Sequence, residues 1–159
     1  MDILSPKGME TLQQEREAVD MFCRLFPQFS CVLTRKDTFC SIDAVFVRDS
    51  VIEACVETKC RKMTYAEFVG RFKSSWLITE DKLIRAGKMA DLLCVPLVGL
   101  LFLVPEKVLL YKKLWQAGSY CVPVEVRETW TQKTVNGGLA VRKNAFVDMS
   151  QAKVIRSAD

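Results

Sequence analysis

The stretch from Cys40 to Lys62, CSIDAVFVRDSVIEACVETKCRK, constrains the fold more than any other part of the chain. It reads as an apolar-rich strand beginning beside Asp43, a polar turn at Arg48-Asp49-Ser50, and a second strand ending in Glu57-Thr58-Lys59. Side chains of an extended strand alternate between two faces, so Val51, Glu53, Cys55, Glu57 and Lys59 share one parity while Ile52, Ala54 and Val56 share the other. The apolar parity suits a core and the charged parity suits a cleft. If the two segments pair as a hairpin, Asp43 returns to Glu57, and two carboxylates and an ammonium converge at one end of a small sheet.

The flanking segments supply a framework for that hairpin. Pro6 and Gly8 mark an irregular arm, after which Leu12, Val19, Phe22 and Phe26 recur at helical spacing over about 9–26, with Glu15 on or beside the stripe. Pro27 stops this helix, and Phe29 to Thr34 has the content of a first strand, followed by a polar turn at Arg35-Lys36-Asp37. The hairpin strands fall at about 39–47 and 51–58. Thr64 and Glu67 form a capping-box pattern before Tyr65, Phe68, Val69 and Phe72, and Lys73-Ser74-Ser75 breaks that register. Thr79 caps a further helix through about Leu93, despite Gly87. The apolar run from Leu92 to Pro105 is shorter than the roughly 20 residues of a membrane-spanning helix, and its prolines fit the boundaries of a buried strand over 97–104. Val108 to Leu114 fits an adjacent strand or a short helix, with the strand favoured by its brevity. Beyond Trp115, Tyr120 to Val126 reads as extended and Gly137-Gly138 as a flexible turn or a close backbone approach. Arg127, Trp130, Lys133, Arg142, Lys143 and Asn144 then mix basic and hydrogen-bonding groups with an aromatic. Such a mixture suits phosphate and base contacts, or simply a surface loop packed around Trp130.

Composition narrows the chemistry. A chain of 159 residues with 50% apolar content fits a single domain, with an approximate core at 9–114 and an embellishment at 115–159. The formal charge of +4 is compatible with a polyanionic partner. Histidine is absent, which removes His-containing zinc sites and Ser-His-Asp or Cys-His catalysis. Seven cysteines without a C-x-x-C pair read as mostly reduced and buried in a cytoplasmic protein, and the N-terminus lacks the pattern of a signal peptide. Hydrolytic chemistry in this chain therefore falls to carboxylates, lysine or a bound metal.

Asp43 and Glu57 offer hard oxygen ligands suited to magnesium or manganese, and the Thr58 carbonyl adds a ligand without a side-chain signature. Lys59 is placed to orient a water or to offset charge developing on a phosphate. The plainer account is that Glu57 and Lys59 form an ordinary ion pair on a strand. The order α-β-β-β-α-β, with Glu15 on the preceding helix, favours the metal site.

Ile42-Asp43, followed after a short hairpin by Glu57-Thr58-Lys59, with Glu15 in the first helix, resembles the PD-(D/E)XK nuclease superfamily, in particular its small phage or prokaryotic and Holliday-junction-resolvase-like branch. Ile42 stands where the family pattern has proline, while the aspartate that supplies the ligand is kept. The resemblance spans about 9–114. It implies a restriction-endonuclease-like mixed sheet flanked by helices, an αβββαβ core with a C-terminal extension, and a magnesium- or manganese-dependent phosphodiesterase. It casts Asp43 and Glu57 as metal ligands, Lys59 as the water-orienting or phosphate-stabilising residue, and Glu15 as an additional, conditional carboxylate.

The expected activity is endonucleolytic hydrolysis of DNA, duplex or branched, in the cytoplasm, that of a host cell if the chain is phage-encoded. Lys82, Lys88, Arg142 and Lys143 are candidate backbone contacts, with Lys82 also similar in placement to a basic residue on the later core helix of some members. A homodimer would ease paired cuts, and no membrane partner is expected. A noncatalytic DNA-binding or assembly module on the same sheet is the alternative, and a protein-interaction domain with surface ion pairs is a third.

Overall fold

The computed structural model describes residues 5–36, 39–134 and 137–156, without the side chains of 132–134. Within them the chain is a mixed α/β fold: a central mixed β-sheet flanked by helices, consistent with a restriction-endonuclease-like core. The helix α1 (Pro6–Leu25) starts one turn earlier than its apolar stripe suggests. Ser5 caps it by accepting from the Gly8 N–H at 3.1 Å, and Pro6 sits in the first turn, where a missing N–H costs nothing. Strands β1 (Ser30–Leu33), β2 (Ala44–Arg48) and β3 (Val51–Arg61) form an antiparallel meander. Its second turn has Asp49 and Ser50 at φ of 49° and 65°, the left-handed backbone that a two-residue hairpin loop requires.

Residues 62–96 cross over to a parallel partner. They comprise α2 (Tyr65–Gly70), β4 (Ser75–Thr79) and α3 (Glu80–Leu92), after which β5 (Leu97–Leu103) pairs in parallel with β3. The Thr64–Glu67 capping box forms as its spacing requires. Then β6 (Val108–Gln116) returns antiparallel, with β7 (Ser119–Tyr120) on one end and β10 (Lys153–Arg156) along its outer edge. Among the described residues this makes a seven-stranded sheet ordered β1-β2-β3-β5-β6-β10, with β7 off that path.

A second, three-stranded sheet, ordered β4-β9-β8, comes from β8 (Val124–Thr134) and β9 (Gly137–Asp148) pairing as a long hairpin and docking on β4. The sequence pattern hides β4, because only five residues follow the break at Lys73-Ser74. Both of those residues adopt positive φ without being glycine. Phe39 to Asp43 lies outside β2, so that strand is shorter than its composition suggests, while β3 runs on to Arg61.

Both faces of the central sheet are covered. On one, Ala18, Val19, Met21 and Phe22 of α1 pack on Phe46, Val56, Leu100, Phe102 and Leu109, with the Phe22 and Phe46 rings stacked at 4.4 Å. On the other, Leu83, Ala86 and Ala90 of α3 join Phe68, Trp76, Ile78, Ala145 and Val147 over Cys55, Leu97, Leu101 and Leu103. This double burial explains the unbroken apolar run of β5. Two glycines permit the close packing: a Cβ on Gly99 would strike the Trp76 ring, and one on Gly87 would come within 2.5 Å of Trp115. Trp76 thus rests directly on the central strand and docks the second sheet over it. All seven cysteines are free, but only Cys55 is buried and Cys94 and Cys121 are exposed, so they are not a buried set. No helix among the described residues is long and apolar enough to cross a membrane.

Candidate active site

The β2–β3 pairing brings Asp43 beside Glu57 and Thr58. Asp43 precedes β2, where its N–H donates to the Val56 carbonyl at 2.9 Å and its Oδ2 accepts from the Thr58 N–H at 2.9 Å. Thr34 pins the same segment by donating its hydroxyl to the Ile42 and Asp43 carbonyls at 2.8 and 3.0 Å. Ile42 is buried in the core, an apolar role for the residue before the aspartate. Glu57 is 0% exposed, sandwiched by the layer that α3 and the second sheet lay over its face of β3.

Three lysines converge on these carboxylates. Lys82, in the first turns of α3, bridges them, with its Nζ 2.6 Å from Glu57 Oε1 and 3.3 Å from Asp43 Oδ1. Lys59 reaches Glu57 Oε1 at 2.9 Å from the same face of β3. Lys36, from the turn after β1, spans Asp43 Oδ1 at 3.0 Å and Glu15 Oε2 at 3.1 Å. Glu15 therefore meets the cluster through Lys36. The group holds Asp43, Glu57 and Glu15 against Lys36, Lys59 and Lys82, which balances charge. Glu57 Oε1 is thus met by two ammonium groups, while Oε2 has no hydrogen-bond partner among the described residues.

The two central carboxylates respond oppositely to this setting. Burial would raise the Asp43 carboxyl, but Lys82, Lys59, Lys36 and the Thr58 N–H together hold it well below the usual carboxylate range. For Glu57, complete burial dominates and pushes the carboxyl up, with Lys59 and Lys82 offsetting only part of the effect. Burial works against the charge of Lys82, yet Glu57 and Asp43 more than compensate and raise its pKa. Lys36 is raised in the same way by Asp43 and Glu15.

A cleft of about 630 Å³ opens over this cluster. Thr11 and Glu15 of α1 line one side, Thr58 and Lys59 the floor, and Thr131, Arg142 and Asn144 of the β8–β9 hairpin the other side. Arg142 and Lys82 thus face the cleft, whereas Lys143 lies on the opposite face of β9 and Lys88 is exposed on α3, away from the lining. Asn144 is buried, its Nδ2 donating to Thr129 Oγ1 at 2.8 Å and to the Arg142 carbonyl at 3.0 Å, while its Oδ1 has no hydrogen-bond partner among the described residues. Trp130 lies on the hairpin face away from the cleft and is 70% exposed, so no loop packs around it. Asp37 and the Lys133 side chain lie outside the described residues.

Lys36 had no signal in the sequence beyond a polar turn, since its role depends on α1 and β2 meeting at that turn. Asn144 stood in a basic cluster, but only the β4–β9 register, which sets Asn144 opposite Thr79, places it over Lys82 at the start of α3.

Whether these residues suit a divalent ion is decided by their donors. Among the described residues no group of three or more Asp, Glu, His or Cys side chains assembles into a metal site. Magnesium is commonly held by one or two carboxylates with water and substrate phosphate completing its shell. Asp43 and Glu57, with the orphaned Glu57 Oε2 and hard oxygen donors throughout, fit that pattern.

The chain matches no family model and no curated protein. Among solved structures it shows a distant structural match to Hjc, a Holliday junction resolvase from the archaeal hyperthermophile Archaeoglobus fulgidus, with 14% identity and a TM-score of 0.49, covering 84% of this chain and 92% of that one.

Proposed function

We propose that this chain is a magnesium- or manganese-dependent endodeoxyribonuclease whose working residues are Asp43, Glu57 and Lys59, with Glu15 and Lys36 as an outer layer. The observation that carries the reading is the buried Glu57 carboxylate, whose Oε2 has no hydrogen-bond partner among the described residues, set beside Asp43 and reached from the cleft through its lining residues Lys59 and Lys82. A carboxylate removed from water and left incompletely paired is costly, and folds keep such groups where a ligand uses them. Asp43 and Glu57, with the Thr58 carbonyl, would hold the ion. What it supplies when bound is Lewis acidity toward the phosphodiester and the attacking water. Lys59 then lies beside the reacting phosphate, as a cation offsetting developing negative charge. Asp43 stays ionised at neutral pH because its lysine neighbours hold its carboxyl low.

The test is cleavage of linear, nicked, single-stranded and branched DNA with magnesium, manganese or EDTA. Asp43→Asn and Glu57→Gln should each lower cleavage by about 10²- to 10³-fold while the fold persists. Full activity in a folded Glu57→Gln protein, or no cutting of any substrate by the wild type, overturns the proposal.

One observation favours the noncatalytic alternative. Lys82 bridges both carboxylates, and the six-residue cluster is neutral without a metal. Under the nuclease reading Lys82 competes with the ion, so Lys82→Met should tighten manganese binding to DNA-free protein by about tenfold, read by calorimetry. Under the alternative that variant binds no manganese, and DNA binding is salt-sensitive and indifferent to metal.

A further inference from the structure

One face of the three-stranded sheet continues past the catalytic cleft. Strand register sets Leu77, Phe146 and Glu125 side by side, then Thr79, Asn144 and Arg127 on the next rung of the same face. Thr79 and Asn144 of the second rung border the catalytic cleft, while Arg127 and the whole of the first rung border a neighbouring cleft of about 610 Å³. Arg61 and Leu77 belong to both. On the opposing wall, Glu57, Lys59 and Arg61 alternate along one face of β3, so Arg61 stands about 7 Å beyond Lys59. The two clefts therefore adjoin at Arg61 and Leu77.

Arg61 is a half-buried cation without a counter-charge. Its guanidinium donates to the Cys60 and Leu77 carbonyls at 3.0 and 3.2 Å, and no carboxylate pairs with it among the described residues. Such a group is held ready for an anion, because desolvation has been met only by neutral acceptors. The surrounding side chains have the same bias. Arg71, Lys73 and Arg127 rim the cleft against the single carboxylate of Glu125, which lies 3.1 Å from Arg127. Beneath the rim are aromatic faces: Arg71 lies 5.4 Å from the centroid of Phe72 and Arg127 4.0 Å from that of Phe146.

Phosphate-binding cations set beside aromatic rings are the elements that bind unpaired strands, with the backbone on the charge and the base on the ring. In a duplex, by contrast, the base faces are stacked on one another and unavailable. A cleft of this volume is sized for one small ligand, such as a nucleotide.

We propose that the cleft around Arg61 is a nucleotide subsite adjoining the catalytic cleft, with a phosphate on Arg61 and an unpaired base against Phe72 and Phe146, so that the cut strand is single-stranded on that side of the scissile bond. This rests on the nuclease reading for its catalytic sense, while the binding claim stands separately.

The experiment is fluorescence anisotropy of the full chain in EDTA with labelled oligothymidine of roughly 12 nucleotides and with a blunt duplex of equal length. Single-stranded DNA should bind about tenfold more tightly than duplex. Arg61→Gln should weaken single-strand binding by about tenfold and reduce the log-log salt slope by about 0.7, the loss of one phosphate contact on a single strand. If Arg61→Gln fails to fold, the exposed pair Lys73→Gln with Arg127→Gln carries the test and should lower the slope by about 1.4. Preference for duplex, or an unchanged slope in a folded variant, overturns the subsite. Because binding is read without metal, a protein that binds single strands through Arg61 yet cuts nothing would defeat the nuclease reading and leave the subsite intact.

Discussion

The two sheets of this molecule are built on opposite terms. In the central sheet β5 is apolar on both faces and buried on both, between α1 and the layer of α3 and Trp76. In the three-stranded sheet only the base is buried: Ala145 and Val147 are fully enclosed, while Trp130 and Leu139, farther out on the same face, are each 70% exposed. The first sheet supplies rigidity and so can hold the fully buried Glu57 at a defined place. The second adds Trp76, Ile78, Ala145 and Val147 to the core at its base and, farther out, forms one wall of the cleft. The two sheets meet where Trp76 rests on Gly99 of the central strand, so the contrast is between a shared, packed base and an outer hairpin that stands in solvent.

That division predicts a graded series of effects. The largest belongs to the central sheet, where Phe102→Ala should cost about 3–5 kcal/mol, because the ring is fully enclosed beneath α1. Urea denaturation reads this directly, and a loss below about 1 kcal/mol would show that the doubly covered sheet is less tightly packed than its burial indicates.

Next comes the joint between the sheets. Gly99→Ala should cost about 1–3 kcal/mol, since the added methyl meets the Trp76 ring and must push β4 away from β5. Cleavage should fall with it, because β4 carries β9 and its Asn144 into the cleft. A stable variant with full activity would uncouple the second sheet from the site.

The third effect separates the two carboxylates within the central sheet. Asp43 has a folded pKa below its unfolded value, so its contribution to stability is present above about pH 4 and is lost as pH falls through the folded value. Glu57 is raised, so its ionisation weakens the fold as pH rises past its unfolded value toward its folded one. In EDTA at neutral pH, thermal unfolding should therefore show Asp43→Asn below wild type and Glu57→Gln above it. Shifts of the same sign would refute the opposed environments. Raised stability with lost cleavage in Glu57→Gln is the expected mark of a residue kept for function.

The smallest effect belongs to the outer hairpin. Trp130→Ser should change stability by no more than about 0.5 kcal/mol despite the size of the side chain, because it is mostly in water already. A larger loss would mean that the hairpin tip is covered in solution.

Local patterns in the chain were enough to specify much of the central sheet. The capping box at Thr64 and Glu67 depends on residues three apart, the β5 run on contiguous apolar character, and the Asp43–Glu57 approach on one short hairpin. Each is a short-range relation, and alternation along β3 already put Glu57 and Lys59 on one face. The fold class and the central residues of the candidate site were legible for that reason. The details at the edges were less so, since a capped Pro6 begins α1 and Phe39 to Asp43 stays outside β2.

Tertiary structure alone decided the rest. Five residues of β4 become a strand only because β9, nearly seventy residues later, pairs with them. Lys36 joins Glu15 to Asp43 only when α1 is laid across the sheet, and Lys82 bridges the carboxylates only when α3 is docked. Arg61 lies beside the charged strand motif in sequence, yet only the tertiary structure shows that its partners are the Cys60 and Leu77 carbonyls and that no carboxylate among the described residues pairs with it. Alternation and capping are written in neighbouring residues, whereas charge balance, burial and the shape of a cleft depend on which distant segments share a volume.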